Sequence, residues 1–128
     1  MLLQRSNTGY RDGDYDVPAG HLEENETLVA ATIREAKEEA SVVINPEDLR
    51  FHHVMHRKTP GRDGRVYLDF YFVADKWQGK PKIGEPDKCS HMDWFTLDQL
   101  PSNMIPYQKE AIEMVNNPFS EWGWKADA

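Results

Sequence analysis

GHLEENETLVAATIREAKEEASV, residues 20–42, decides the reading of this chain. From Thr27 to Ala40 it predicts a helix, capped by Asn25 or Thr27. At 100° per residue, Val29, Ile33, Ala36 and Ala40 share one apolar stripe. Glu35, Glu38 and Glu39 stand at i, i+3 and i+4, so they project from another face, within about 100° of arc. Acidic faces on Glu-rich helices are ordinarily just solvated. These three acids are poorly placed for that. They lie in the C-terminal half, where the helix dipole disfavours negative charge, and they repel one another at this spacing. Arg34 alone cannot neutralise three carboxylates. A hard divalent cation with oxygen ligands relieves both problems.

Outward from the helix, Met1 to Arg5 reads as the end of a strand, and Asn7 to Asp14 carries turn chemistry. Tyr15 to Val17 is a short strand ending at Pro18, and Gly20 to Glu24 a second extended piece or turn. Pro46 ends any continuation of the helix. Leu49 to His56 and Val66 to Ala74 form a hairpin around a Gly/Pro turn, Thr59 to Gly64. Lys80 to Lys88 is a loop, His91 to Leu97 a strand, and Ile105 to Val115 a final helix. The order β-β-α-β-β-β-α implies a mixed sheet with helices against it. Alternation places His52 and His56 on one strand face and His53 on the other, a spacing that matches no transition-metal motif. Trp77, Trp94, Trp122 and Trp124 read as packing residues.

The 128 residues suit one domain, residues 1–128, large enough to bury a core. No apolar run approaches the roughly 20 residues of a membrane helix, and Met1 to Arg5 turns polar too quickly for a signal peptide. Cys89 is the single cysteine, which excludes an intrachain disulfide and fits a reducing, cytoplasmic location; it reads as a small buried apolar side chain. The formal charge of −7, with no Lys/Arg run, argues against a grip on nucleic-acid polymers. A small polyanion remains a suitable partner if a divalent cation screens the charge.

The wider spacing carries more information. Gly20 is followed after five residues by Glu26, after seven more by Arg34-Glu35, and after two more by Glu38-Glu39. Six fixed positions recur by accident in on the order of one in 10⁵ chains this long. The spacing resembles the Nudix box, G-x5-E-x7-R-E-U-x-E-E-x-G-U, with U a bulky aliphatic. Ser41 stands where the box has Gly, and Ala36 where it has a larger aliphatic; Ser41 implies a slightly different helix exit. Outside the box, Asn7-Thr8-Gly9-Tyr10 and Pro18 to Glu23 resemble MutT-like Nudix hydrolases. Glu85-Pro86-Asp87-Lys88-Cys89, Trp94-Phe95 and Leu100-Pro101 are similar to members that act on purine nucleoside triphosphates.

That resemblance implies a Nudix-type α/β/α sandwich with a mixed β-sheet. It implies Mg²⁺, with Mn²⁺ able to substitute, held by Glu35, Glu38 and Glu39 with help from the Gly20 carbonyl. Arg34 would orient the carboxylates through Glu26 or Glu35. Glu38 or Glu39 would take a proton from the attacking water; Glu85 is the candidate outside the box, or else a solvated loop acid. Arg5 would touch a phosphate or be a surface arginine. The segment Asn103 to Tyr107 falls where related enzymes build a base pocket, and Tyr107 would stack on a base or serve as a core tyrosine.

The reaction so implied is hydrolysis of a diphosphate bond, first in a nucleoside triphosphate giving monophosphate and pyrophosphate. ADP-ribose, a dinucleoside polyphosphate or a nucleotide sugar are the alternatives, and a nucleotide-binding module without catalysis is the reading from another class. Similar domains carry a further strand ahead of the position of Met1. The expectation is a sheet lacking that first N-terminal strand, because a native segment lies upstream of Met1 (the favoured explanation), another chain supplies the pairing, or the domain tolerates an exposed edge; an exposed edge favours some self-association into a homodimer.

Overall fold

The computed structural model describes residues 1–59 and 64–124. Residues 60–63 of the expected hairpin turn lie outside it.

Leu2 and Leu3 are consecutive apolar residues, and both are buried. Their strand is covered on both faces, which is why it does not alternate. Strand β1 (Leu2–Arg5) pairs antiparallel with β2 (Tyr15–Asp16), Leu3 opposite Asp16, and on its other edge with a strand at Cys89–Asp93. Helix α1 (Leu28–Ala40) follows the loop after β2. Thr27 is its cap, its Oγ1 accepting from Ala30 N at 3.1 Å. The apolar stripe buries Ala36 and Ala40, which cluster with Val42 and Ile44 and pack against Met1, Ile33, Leu49, Ala74 and Met92. Ser41 ends the helix in the left-handed region, at φ 62° and ψ 28°. The exit is therefore the one a glycine would take, not a different one, with the added steric cost of a Cβ.

A second sheet holds β3 (Leu49–Lys58) at its centre, antiparallel to β4 (Val66–Ala74). Strand β5 is the Cys89–Asp93 segment that completes the first sheet. It starts two residues before the expected strand and stops at Asp93, whose Oδ1 accepts from Trp94 N and turns the chain. Helix α2 spans Pro106–Glu113, two residues shorter than expected at its far end and one at its start. Beyond it lies an element the sequence reading did not contain. Strand β6 (Phe119–Trp122) pairs parallel with β3, Val54 opposite Phe119. Its four residues are too few for a period to show, and its partner lies about 65 residues away in sequence. The expected mixed sheet is thus the order β4-β3-β6, beside an antiparallel sheet β2-β1-β5. Gly20 to Glu24 forms no strand.

The histidines correct the simple alternation. The β3–β4 register shifts between Phe51 and His53, a bulge that brings the His52 and His53 rings within 6.0 Å of each other. His52 Nε2 bonds the Ala111 carbonyl, while buried His53 bonds the Asn117 carbonyl and Ser120 Oγ. Both tie β3 to the α2–β6 segment.

On β4, Tyr67, Asp69 and Tyr71 face one way and Val66, Leu68 and Phe70 the other. The second row is 41–60% exposed, and its Leu68 and Phe70 border an apolar cleft of about 770 Å³ that reaches α1, Trp77 and Trp94. Those two indoles stack with centroids 5.6 Å apart. Cys89 is buried, and burial pushes its thiol up. Among the described residues, no helix is long and apolar enough to cross a membrane.

Candidate active site

Arg34 sits at the centre of the acidic face of α1. Its Nε and Nη2 grip Glu26 at 2.7 and 3.0 Å, a two-point contact matched to the planar fork. Its Nη1 reaches Glu35 at 2.7 Å and Glu38 at 3.3 Å, and Glu23 lies at 3.5 Å. Nη2 also donates to the His21 carbonyl at 3.1 Å. One guanidinium therefore fixes the loop before α1 against the helix while serving four carboxylates. The bond from Arg34 holds Glu26 below the usual carboxylate range.

The loop comes so close that a Cβ at position 20 would collide with the Glu35 carboxylate and displace it. Next to it, Ala19 N donates to Glu39 Oε2 at 2.9 Å. On the far side of the helix end, Gly84 N donates to the Glu39 carbonyl and Lys82 N to the Ala40 carbonyl, satisfying two of the carbonyls a helix end leaves open. A Cβ on Gly84 would run into the Glu38 carbonyl. This second glycine contact, which nothing in the local sequence announces, brings the 80–88 loop and Glu85 alongside the helix.

Arg5, Glu35, Glu38, Glu39, Glu85 and Lys88 thereby line one polar cleft of about 570 Å³. Burial first, and then the charges of Glu35, Glu85 and Asp16, push the Glu39 carboxyl up to about 8 against the Ala19 N–H. Burial also raises Glu35, in spite of Arg34. Asp16, buried at the cleft floor, is raised by burial too, although Arg5, Val17 N and Gln108 bond it. The cluster carries more negative charge than its environment supports. As the side chains stand, turned to Arg34 and to Ala19 N, no group of three or more His, Cys, Asp or Glu among the described residues is gathered closely enough to hold a metal ion.

The other expected residues divide. Arg5 lies on the cleft, donating to the Tyr10 carbonyl, Asp16 and Thr8 at 2.7, 3.2 and 3.0 Å. Tyr107 stands elsewhere. The Arg57 guanidinium lies over its ring at 4.2 Å, its hydroxyl is 3.2 Å from that of Tyr10, and it does not line the cleft. Asn103 donates to the Gly13 carbonyl.

Arg57 organises a second cluster that the sequence reading missed. It pairs with Asp69 at 2.5 Å and lies over the Tyr67 ring at 4.4 Å, so that it is held between two tyrosines. From the same face of β4, Tyr71 donates to Gln108, Gln108 donates to Asp16, and Asp16 meets Arg5. A continuous polar chain therefore joins the aromatic cluster to the cleft floor.

A family model described as NUDIX domain matches residues 1–117. An ADP-ribose pyrophosphatase of Methanocaldococcus jannaschii is 28% identical over 110 residues, 85% of this chain; the chain spans 61% of that protein's length. An 8-oxo-dGTP diphosphatase of Escherichia coli is 26% identical over 114 residues, 88% of this chain and 81% of that protein. The crystal structure of a MutT NUDIX hydrolase from Burkholderia pseudomallei, 24% identical, superposes with a TM-score of 0.77 and covers 88% of this chain and 84% of its own. It has the same fold.

Proposed function

The chain belongs to the NUDIX domain family, and from that premise we propose that its polar cleft hydrolyses a diphosphate linkage in a nucleotide. One observation carries the reading: Glu35, Glu38, Glu39 and Glu85 border one cleft, where burial and the charges of Glu35, Glu85 and Asp16 push the Glu39 carboxyl up. Nudix hydrolases generally use divalent metal ions. The donor set fits such an ion: hard carboxylate oxygens, crowded at a cost that a dication relieves, beside a glycine backbone packed on Glu35. Glu35, Glu38 and Glu39, with the Gly20 carbonyl, would hold Mg²⁺. When bound, it supplies charge neutralisation at the phosphate oxygens and lowers the pKa of a water.

The chain's own residues do the rest. Arg34 fixes the box loop to the helix and so sets where Gly20 and Glu35 stand. Glu38 or Glu39, or Glu85 from the facing loop, takes the proton of the attacking water at a carboxylate oxygen. Arg5, which uses three of its five donors within the protein, turns a remaining N–H to a phosphate oxygen.

The leading substrate is a nucleoside triphosphate, cleaved to monophosphate and pyrophosphate, supported by the similarity to the 8-oxo-dGTP diphosphatase. ADP-ribose is the second reading, favoured by the similarity to the ADP-ribose pyrophosphatase. The test is a Mg²⁺-dependent product analysis on both classes. The expected result is pyrophosphate release, with kcat/KM for a purine nucleoside triphosphate above that for ADP-ribose. ADP-ribose ahead by roughly tenfold, about 1.4 kcal/mol in the barrier, reverses the substrate order, and no hydrolysis of either overturns the reading.

A further inference from the structure

The geometry points to a stacking site for a nucleobase on the Tyr67 ring, covered by His21, at the mouth of the acidic cleft. The inference rests on the nucleotide reading above and says where the flat end of that nucleotide goes.

Tyr67 has one ring face committed. Arg57 lies over it at 4.4 Å, and Arg57 is itself held by Asp69 and by the Tyr107 ring behind it at 4.2 Å. A tyrosine backed in this way is a fixed platform, and stacking on a fixed ring costs little conformational entropy. Tyr67 is also only half-buried. The neighbouring ring is His21, with centroids 6.3 Å apart and planes inclined by 35°. A flat ring held between two others needs about 7 Å, two contacts of about 3.5 Å. A levelling of the tilt and an outward shift of His21 make that room, and the exposed His21 side chain is the one that gives.

The placement relative to the phosphate end supports the same conclusion. His21 follows Gly20, whose backbone packs on the Glu35 carboxylate, and its own carbonyl is bonded by Arg34 Nη2 at 3.1 Å. His21 also lines the polar cleft together with Glu35, Glu38 and Glu39. A base stacked there leaves its phosphates directed along the carboxylates. The Asn103 to Tyr107 segment offers no comparable surface: Met104 and Ile105 are buried, Asn103 is bonded to Gly13, and Arg57 covers a face of Tyr107. Aromatic stacking is tolerant of base identity, so this site selects nucleotides from ring-free polyphosphates more strongly than one base from another.

The experiment compares wild type, Tyr67→Leu and Tyr67→Phe on two probes, ATP and inorganic tripolyphosphate, and measures adenosine binding by calorimetry without metal. Expected for Tyr67→Leu is a rise of about tenfold in KM for ATP with kcat within about threefold. Tripolyphosphate kinetics should be unchanged, adenosine binding lost, and Tyr67→Phe should restore both ATP and adenosine. Loss on ATP and tripolyphosphate alike would assign Tyr67 a structural role through Arg57 and overturn the stacking site. So would an unchanged KM for ATP, which leaves the hydrolase reading standing. A wild type that cleaves neither probe, yet binds adenosine in a Tyr67-dependent way, would retain the site and dismiss the hydrolase.

Discussion

Arg34 holds four carboxylates, whereas Arg57 holds one and lies between two tyrosine rings. Around Arg57 the charges balance one to one, and the guanidinium's flat faces are covered. Around Arg34 they do not balance; beside it, burial first and the neighbouring carboxylates second push the Glu39 carboxyl up to about 8, and burial raises Glu35. The same residue type thus closes one region and leaves the other in deficit. Groups held in an unfavourable arrangement persist where function needs them and the surroundings over-determine them. Here the over-determination is visible: Thr27 caps the helix, Gly20 and Gly84 clamp it from two sides, and Arg34 ties down the loop. The comparison makes opposite demands on mutation. Loss of a carboxylate in the first region should cost turnover and spare the fold; loss of Arg57 in the second should cost the fold.

The largest effect expected is on turnover. Glu39→Gln or Glu38→Gln should lower kcat by at least about 10²-fold, about 2.7 kcal/mol, with folding stability unchanged or improved because repulsion on the helix is relieved. Steady-state kinetics and a urea titration on the same samples measure both. A variant within about threefold of wild type breaks the assignment of the acidic region.

Somewhat smaller is the pH dependence of stability in the metal-free protein. Glu39 titrates near 8 when folded, against an ordinary carboxylate value of 4.5 unfolded. The folded state therefore holds the proton more tightly, and stability falls as pH rises from the unfolded value through 8. For one proton the loss is at most about 2.7 kcal/mol between pH 6 and 8. Buried Asp16 and partly buried Glu35, both raised, act with the same sign. Thermal melts in a chelator should show a lower Tm at pH 8 than at pH 6, and Glu39→Gln should flatten the difference. Equal wild-type values at the two pH values would mean that the cluster is not in deficit.

Arg57→Met tests the other side. Arg57 and Asp69 are 11% and 23% exposed at their side chains, so removing the arginine strands a largely buried carboxylate. The expected cost is about 2 kcal/mol, below the full value for a deeply buried pair because Asp69 keeps some contact with water. It should appear as a lower urea midpoint with an unchanged slope. A midpoint within error of wild type would show that the two arginines are not used in opposite ways.

How much could be read in advance follows the same division. The acidic region was legible because its residues lie on one loop and one helix, where the i, i+3, i+4 rule converts spacing directly into position. Arg57, Asp69, Tyr67 and Tyr107 come from β3, β4 and α2, and no local period links them. Strand β6 was hidden for a related reason, being four residues long and paired in parallel with a distant strand. The bulge that brings His52 and His53 together leaves no mark in the alternation it interrupts. Tyr107 was correctly placed at the start of α2, but its partner is an arginine that only the sheet register supplies.

The smallest effect concerns the helix end directly behind Glu38 and Glu39. Ser41 occupies φ 62° and ψ 28°, where Cβ crowding costs an L-residue roughly 1–2 kcal/mol. Its N–H still bonds the Lys37 carbonyl at 3.1 Å, so the cap is formed in spite of that cost. Ser41→Gly removes the crowding and returns part of the gain as extra freedom of the unfolded chain, roughly 0.5–1 kcal/mol. The net expectation is a stabilisation of about 0.5–1 kcal/mol, seen as a higher urea midpoint. The backbone stays where it is, so the carboxylates stay with it and kcat/KM should remain within about twofold. Unchanged activity with higher stability would separate two strains in the acidic region: one that the chemistry requires, in the carboxylates, and one that it does not, in the cap. A large fall in activity would instead make the left-handed serine part of what positions Glu38 and Glu39.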